Sequence, residues 1–129
     1  MSEQFTVEII TPDKTFLKTQ TSEVRIPSYE GEMGILKDHI PLITFLRPGL
    51  IIIKSEGEKK YYVEEGTVEF SNNNLLILTS TTKDLSNLDD ILIDKMIQES
   101  EAKINNTETS DKEKYLLSYK IQTLKEIKN

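Results

Sequence analysis

The 129-residue chain contains no cysteine and only one histidine. The lack of cysteine excludes disulfides, thiolate nucleophiles and cysteine-ligated metal, and it suits a reducing compartment. A single histidine has no second imidazole with which to share a metal ion. The apolar runs are short, and one such as Leu50 to Ile53 falls far below the ~20 residues that cross a bilayer. We therefore expect a soluble protein that does not insert into a membrane.

Basic residues are in the minority, with 16 Lys and Arg against 22 Asp and Glu and a formal net charge of -6. An acidic chain with scattered lysines is poorly suited to a phosphate backbone, so we expect no nucleic-acid partner. The first residues, MSEQFTVEIITPDK, include neither the basic segment nor the long apolar segment of a signal peptide. The sequence therefore predicts no signal peptide.

Before Lys83 the apolar residues alternate with polar ones at a period of two. The residues predicted to face a core are Phe5, Val7, Ile9, Val24, Ile26, Val68, Phe70, Leu76 and Leu78. This alternation is typical of antiparallel sheets that bury one face. Turn-forming residues at 11–13, 56–57 and 72–74 separate the runs, so we predict hairpins over 50–63 and 67–80. Many short strands favour a β-sandwich or a barrel.

After Lys83 the apolar spacing becomes helical. Ser86 and Asp89 predict the N-terminus of a first helix, and Ser110 with Glu113 predicts a capping box at the start of a second. The predicted apolar face of the first helix comprises Leu88, Ile91, Leu92, Met96 and Ile97. That of the second comprises Leu117, Ile121, Leu124 and the stem of Lys128. A short polar connection predicts an antiparallel two-helix hairpin, giving a sandwich domain over 1–84 and a helical domain over 85–129.

The segment from Tyr29 to Gly49 holds three of the five glycines, two of the four prolines and the histidine. His39 as a general base would need an oriented nucleophile such as Ser28 or Thr44, and the sequence shows no pattern that supplies one. A structural hydrogen bond or an interface contact is the simpler interpretation of His39. A His39-dependent hydrolase is the alternative.

Three acidic residues in the same segment, Glu30, Glu32 and Asp38, raise the possibility of a metal site or an acid–base pair. The glycines at 31 and 34 predict an irregular turn there. Solvated loop acids, or an acidic docking loop, are therefore the favoured interpretations. No catalytic constellation emerges, and the segment is better explained as a shaped loop that another protein binds.

This segment, GEMGILKDHIPLITFLRPG, resembles the epsilon subunit family of F-type ATP synthases, which is called delta in mitochondria. The residues that match the family pattern in order and spacing are Gly31, Glu32, Gly34, Ile35, His39, Pro41, Leu42, Pro48 and Gly49. The stretch TVEIITPDKTFL is similar to the family's first strand and turn. The resemblance covers the whole chain and implies a flattened β-sandwich followed by a C-terminal helical hairpin.

The resemblance implies a non-catalytic subunit of the central rotor that links gamma to the c ring and couples proton flow to ATP synthesis. It also implies transient contact of the hairpin with the alpha and beta catalytic subunits and inhibition of ATP hydrolysis. Glu30, Gly31 and Glu32 match the loop that meets the c ring, and His39 and Thr44 match the side that faces gamma. The expected location is peripheral, on the cytoplasmic face of a bacterial inner membrane.

Two departures from the family pattern concern the hairpin. Leu92 stands where many bacterial members have the arginine that pairs with phosphate, so we assign no nucleotide-binding residue and no cofactor. The second helix carries Leu, Tyr and Lys where the family often has Ala and Arg. Without the matching segment, the alternative is a free-standing β-sandwich binding module with a helical tail.

Overall fold

The computed structural model describes residues 3–128, which form ten strands followed by two α-helices. The strands are β1 Phe5–Thr11, β2 Lys14–Thr21, β3 Glu23–Ser28, β4 Gly31–Leu36, β5 Leu42–Leu46, β6 Gly49–Lys54, β7 Glu58–Val63, β8 Gly66–Ser71, β9 Asn74–Leu78 and β10 Lys83–Asp84. The helices are α1 Asp90–Ile104 and α2 Asp111–Lys128, and a 3₁₀ turn, Leu85–Asn87, precedes α1. The predicted mixed fold, sheet first and helices second, is confirmed.

The strands make two layers that share one core. One layer has the order β4-β3-β6-β7-β10 and the other β5-β8-β9-β1-β2, and they join where Ser28 pairs with Leu46. Within the described sheet every strand pair is antiparallel except β1 with β9. The inward side chains of both layers form a single apolar cluster that includes Phe5, Val24, Ile35, Ile51, Val68 and Ile77. This is the predicted sandwich.

The period of two located the inward face correctly in β1, β3 and β8 but not in β9. Leu75 and Ile77 are buried, whereas Leu78 is 44% exposed and Leu76 is half-buried. The prediction for Leu76 and Leu78 is therefore wrong. Leu75 and Ile77 lie opposite inward residues of both neighbouring strands, β1 and β8, and those neighbours set the register.

Both predicted hairpins are present, and two positions require particular backbone conformations. Asn72 and Asn73 have φ of 50° and 59°, the left-handed pair that suits the two-residue turn between β8 and β9. Gly66 has φ of 155°, and a Cβ there would lie 2.5 Å from the carbonyl oxygen of Leu78. Only glycine allows β8 to start this close to the end of β9.

Helix α1 begins later than predicted and buries a different face. Its N-cap is Asp89, whose Oδ1 accepts from the backbone N of Leu92 at 2.8 Å, while Ser86 lies in the 3₁₀ turn. Ile91 is 83% exposed and Ile93 is buried, so the predicted face is wrong at both positions. Three successive apolar residues, 91–93, span about 200° of a helix, so only the tertiary contact selects among them.

Helix α2 starts as predicted, with the backbone N of Glu113 donating to Ser110 Oγ at 3.1 Å. Leu117 and Leu124 are buried. The ammonium group of Lys128 ends the stripe and bonds Asp94 of α1 at 2.5 Å. This contact joins the end of α2 to the start of α1, so the helices form the predicted antiparallel hairpin. Neither helix in the described residues has the length and apolar character needed to span a membrane.

The hairpin packs on the outer face of β6 and β7, which we call the covered face. Tyr62 is fully buried there, although Tyr61 and Val63 on either side of it point into the sandwich core. The side chains that enclose Tyr62 belong mainly to the helices and include Leu88, Ile93, Ile97 and Leu124. Three buried residues in succession mark a strand that is covered on both faces.

Polar contacts also tie α2 to the sandwich. The Tyr62 hydroxyl donates to Glu64 Oε2 at 3.0 Å, and the same carboxylate oxygen lies 3.1 Å from Lys120 Nζ on α2. The Thr123 hydroxyl lies 3.5 Å from the carbonyl oxygen of Pro48. In this conformation the hairpin is therefore folded against the sandwich.

Candidate partner-binding surfaces

The acidic turn predicted to meet the c ring joins β3 to β4. It is shorter than predicted, because Gly31, Glu32 and Gly34 all lie within the paired strand β4. Ser28 Oγ donates to the carbonyl oxygen of Gly31 at 2.6 Å and accepts from the backbone N of Glu30 at 3.3 Å. Gly31 has φ of 122°, a conformation that favours glycine. Glu32 accepts from Arg25 at 2.6 Å, and this hydrogen bond raises the pKa of the guanidinium. The turn therefore has a fixed shape and presents the exposed Glu30 at its tip.

His39 lies in the loop that follows the other end of β4. Its Nδ1 is 2.7 Å from the carbonyl oxygen of Ile40, and its ring packs edge-on against Phe70 with centroids 5.9 Å apart. The candidate nucleophile Ser28 instead donates to the carbonyl oxygen of Gly31, and Thr44 is 5% exposed. These contacts favour the structural interpretation of His39 over the hydrolase alternative.

A pair of hydrogen bonds that sequence reasoning missed braces the His39 loop. The backbone N of Asp38 donates to Asn73 Oδ1 at 2.7 Å, and Asn73 Nδ2 donates to Asp38 Oδ1 at 2.9 Å. Asp38 has φ of 66°, so a residue considered as a possible ligand instead shapes the backbone. Among residues 3–128 no group of three His, Asp or Glu side chains is arranged to hold a metal ion. Leu36 and Ile40, on either side of the braced residue Asp38, are 57% and 74% exposed.

Strand β5 has an inverted pattern that sequence reasoning did not interpret. Thr44 points into the core, so its side chain is not on the surface as its proposed partner contact requires, whereas Ile43 and Phe45 are 76% and 58% exposed. Phe45 lies opposite Thr67, and Thr67 lies opposite Leu78, which is 44% exposed. We call this outer surface of β5, β8 and β9 the bare face. The signal in the sequence that could have revealed this surface is Thr44, a polar residue that stands between the two apolar residues Ile43 and Phe45.

Two of these surfaces are separated along the sandwich. The Glu30 turn precedes β4 and the His39 loop follows it, and since β4 has six residues the two lie about 20 Å apart at ~3.3 Å per residue. The bare face extends along the adjoining edge strand of the other layer. A sandwich with a bare apolar face, braced loops and a docked helical hairpin has the architecture of a subunit of a larger assembly.

Comparison with known proteins identifies the family. The family described as ATP synthase, Delta/Epsilon chain, beta-sandwich domain, matches residues 4–84. The ATP synthase epsilon chain of Pelagibacter ubique is 48% identical over 127 residues, which cover 97% of this chain and 98% of that protein. That of Parvibaculum lavamentivorans is 30% identical over 131 residues, covering 100% and 98%. The chain belongs to the ATP synthase delta/epsilon chain family, as the segment around His39 predicted.

Solved structures agree with this fold. A chain of the Euglena gracilis mitochondrial ATP synthase, OSCP/F1/c-ring, superposes with a TM-score of 0.81 at 21% identity, covering 95% of this chain and 80% of that one. A chain of the Tetrahymena thermophila mitochondrial ATP synthase, central stalk and c ring, gives a TM-score of 0.64 at 15% identity, covering 99% and 98%. At these identities the likeness is one of fold.

Proposed function

We propose that this chain is the epsilon subunit of a proton-translocating F-type ATP synthase, where it sits in the central stalk and links gamma to the c ring. It couples rotation of the ring to ATP synthesis by contacting both gamma and the ring, and it catalyses no reaction itself. It lies peripherally at the cytoplasmic face of a bacterial inner membrane. Family membership and the bare face support this proposal.

The bare face carries the proposed contact with gamma. Ile43 and Phe45 on β5 and Leu78 on β9, with β8 between the two strands, have 44–76% of their surface exposed. Exposed apolar side chains that cluster in this way mark protein-binding surfaces. The braced His39 loop continues from this surface at the start of β5, so His39 and Ile43 are on the gamma side in this proposal. Thr44 supports the strand from beneath.

The Glu30 turn carries the proposed contact with the c ring. It projects from the opposite end of β4, so one rigid body can touch two partners at once. The exposed carboxylate of Glu30 gives orientation more than affinity, as charges at the rim of an interface do. Glu32 is tied to Arg25 and contributes chiefly by fixing the shape of the turn.

A size-exclusion experiment with the gamma subunit from the same genome tests this assignment. We expect co-elution as a one-to-one complex. Ile43→Asp places a charge in the proposed interface and should weaken binding by about 30-fold, roughly 2 kcal/mol. Ile91→Asp is the matched control, since Ile91 is also exposed but lies on α1. Separate elution of wild-type protein and gamma would support the free-standing binding module instead.

The helical domain, residues 85–129, has a proposed second role as a brake on ATP hydrolysis through transient contact with alpha and beta. The observation that favours it is the modest attachment of the hairpin, which consists of one apolar cluster around Tyr62 and a few polar contacts. Leu92 packs against that cluster. Deletion of residues 86–129 from the assembled enzyme should raise hydrolysis, and unchanged activity would contradict the brake.

A further inference from the structure

Two pairs of aromatic rings and one arginine lie where α2 meets the sandwich, and we call these five side chains the aromatic seam. Its members are Tyr29, Phe45, Arg47, Tyr115 and Tyr119. The rings of Tyr29 and Phe45 lie 6.5 Å apart on the sandwich, and those of Tyr115 and Tyr119 lie 5.0 Å apart on α2. Arg47, two residues after Phe45 in the chain, reaches the pair on α2, because its guanidinium sits 3.9 Å from the centre of the Tyr119 ring.

The two tyrosines of α2 are also hydrogen-bonded to each other. The hydroxyl of Tyr115 lies 3.5 Å from that of Tyr119, and this hydrogen bond raises the pKa of Tyr115, with smaller effects from Tyr29, which raises it further, and from Arg47, which lowers it. Arg47 is itself held in place, because its Nε donates to the carbonyl oxygen of Ser28 at 3.0 Å. The seam is therefore an ordered surface that crosses from β5 to α2.

Docking of the hairpin does not account for the exposed rings of this surface. The residues of α2 that bury against the rest of the protein are Leu117, Thr123 and Leu124. Tyr115 precedes Leu117 by two positions, so it lies about 200° away around the helix. Tyr29, Phe45 and Tyr115 keep 39%, 58% and 45% of their surface exposed. Tyr and Arg are also the residues that dominate binding energy at protein interfaces.

We propose that the gamma-binding surface is composite, and that Tyr115 of α2 enters the same interface as Phe45 of the bare face. This inference rests on the proposed function and extends it from the sandwich to the hairpin. The occupant is gamma because Phe45 belongs to both surfaces, so a partner that covers the bare face reaches the seam without a gap. The Tyr29 end of the seam adjoins the Glu30 turn, which makes the c ring the competing occupant.

A composite surface links the position of the hairpin to the binding of gamma. Gamma binds more tightly when the hairpin is folded against the sandwich, since only then are both halves of the seam adjacent. By the reciprocity of linked equilibria, gamma stabilises the folded hairpin by the same factor. Arg47 sets the geometry of this link by holding Tyr119 against the sandwich.

Calorimetric titration of the full chain with purified gamma, in the absence of c subunits, tests the proposal. Tyr115→Ala should weaken binding by about 10- to 100-fold, in the range of an interface hot spot. Tyr115→Phe should bind nearly as the wild type because the ring is retained. Ile91→Ala is the control for loss of an exposed apolar side chain from the hairpin, and it should have no effect. Thermal unfolding of each free variant should match the wild type, since both positions are exposed.

A second readout follows the linkage itself. Gamma should slow hydrogen exchange of the α2 amides in the wild type and do so less in Tyr115→Ala. Equal affinity of wild type and Tyr115→Ala for gamma would overturn the composite interface and leave the sandwich contact intact, with the c ring as the remaining occupant of the seam. Failure of the wild type to bind gamma would instead overturn the proposed function.

Discussion

Both outer faces of the sandwich carry large apolar side chains, but one face is buried and the other is exposed. On the covered face Tyr62 is completely buried beneath the helical hairpin, whereas on the bare face Ile43 is 76% exposed. Both faces depart from the usual rule that a sandwich shows polar residues to water. The difference is that the chain supplies its own cover for one face only. An apolar outer face thus indicates a missing layer, and the second layer is proposed to be gamma.

The largest effect is expected from a substitution that weakens the packing of the helical hairpin on the covered face. Leu124 is fully buried between the helices and Tyr62. Leu124→Ala should cost about 2–5 kcal/mol through lost burial and the cavity left behind. Because the sandwich core is a separate cluster, we expect the loss to fall on the hairpin. Hydrogen exchange should therefore accelerate in α1 and α2 far more than in β1, β8 and β9.

Ile91→Ala provides the matched control, since it also shortens an apolar side chain of the hairpin but at an exposed position. It should change stability by no more than about 0.5 kcal/mol. If Leu124→Ala left hydrogen exchange in the helices unchanged, or destabilised the sandwich equally, the hairpin would not unfold separately from the sandwich.

The elements that could be predicted from sequence are those whose local pattern has a single solution. Phe5, Val7 and Ile9 alternate with polar residues, so only one face of β1 can be buried. Asn72 and Asn73 favour a left-handed turn, and Ser110 with Glu113 marks a helix start. In each case the local chemistry and the tertiary structure require the same conformation.

Prediction failed where apolar residues occupy both possible faces. All four residues of the run Leu75–Leu78 are apolar, so their sequence does not show which of them face the core. The pairing with β1 and β8 sets the register. Ile91 and Ile93 are equally apolar, and only the contact with the sandwich separates them. Family resemblance marked Thr44, but side-chain direction assigns the exposed surface to Ile43 and Phe45. The Asp38–Asn73 brace joins residues 35 positions apart, and no local pattern reveals it.

A smaller effect on stability is expected from the Asp38–Asn73 brace, which holds the loop beside the bare face. Asn73→Ala removes both hydrogen bonds to Asp38 and should destabilise the protein by about 1–3 kcal/mol. The His39 loop should loosen, which hydrogen exchange at residues 37–41 would detect, and affinity for gamma should fall several-fold. Asn72→Ala is the matched control, because Asn72 has a similar φ but forms neither of these bonds. Equal effects of the two variants would show that backbone conformation, and not the brace, shapes the loop.

The smallest effect concerns the hydrogen bond from the Tyr62 hydroxyl to Glu64, beneath the helical hairpin. Burial raises the pKa of Tyr62 far above its ordinary value of 10.0, and the charge of Glu64 adds to this shift. Above about pH 10 the unfolded chain loses the Tyr62 proton while the folded chain keeps it, so the free energy of unfolding falls as the pH rises. Tyr62→Phe should flatten this decline between pH 10 and 11 in denaturant titrations. The exposed Tyr115→Phe should flatten it less, and identical profiles for wild type and Tyr62→Phe would refute this assignment.

The central claim, that gamma is the missing layer of the bare face, is tested most directly by covalent footprinting of the chain alone and in complex with gamma. We predict that labelling of Ile43, Phe45 and Leu78 falls sharply in the complex while labelling of Ile91 is unchanged. A stable complex in which Ile43 and Phe45 are labelled as in the free chain would contradict the claim.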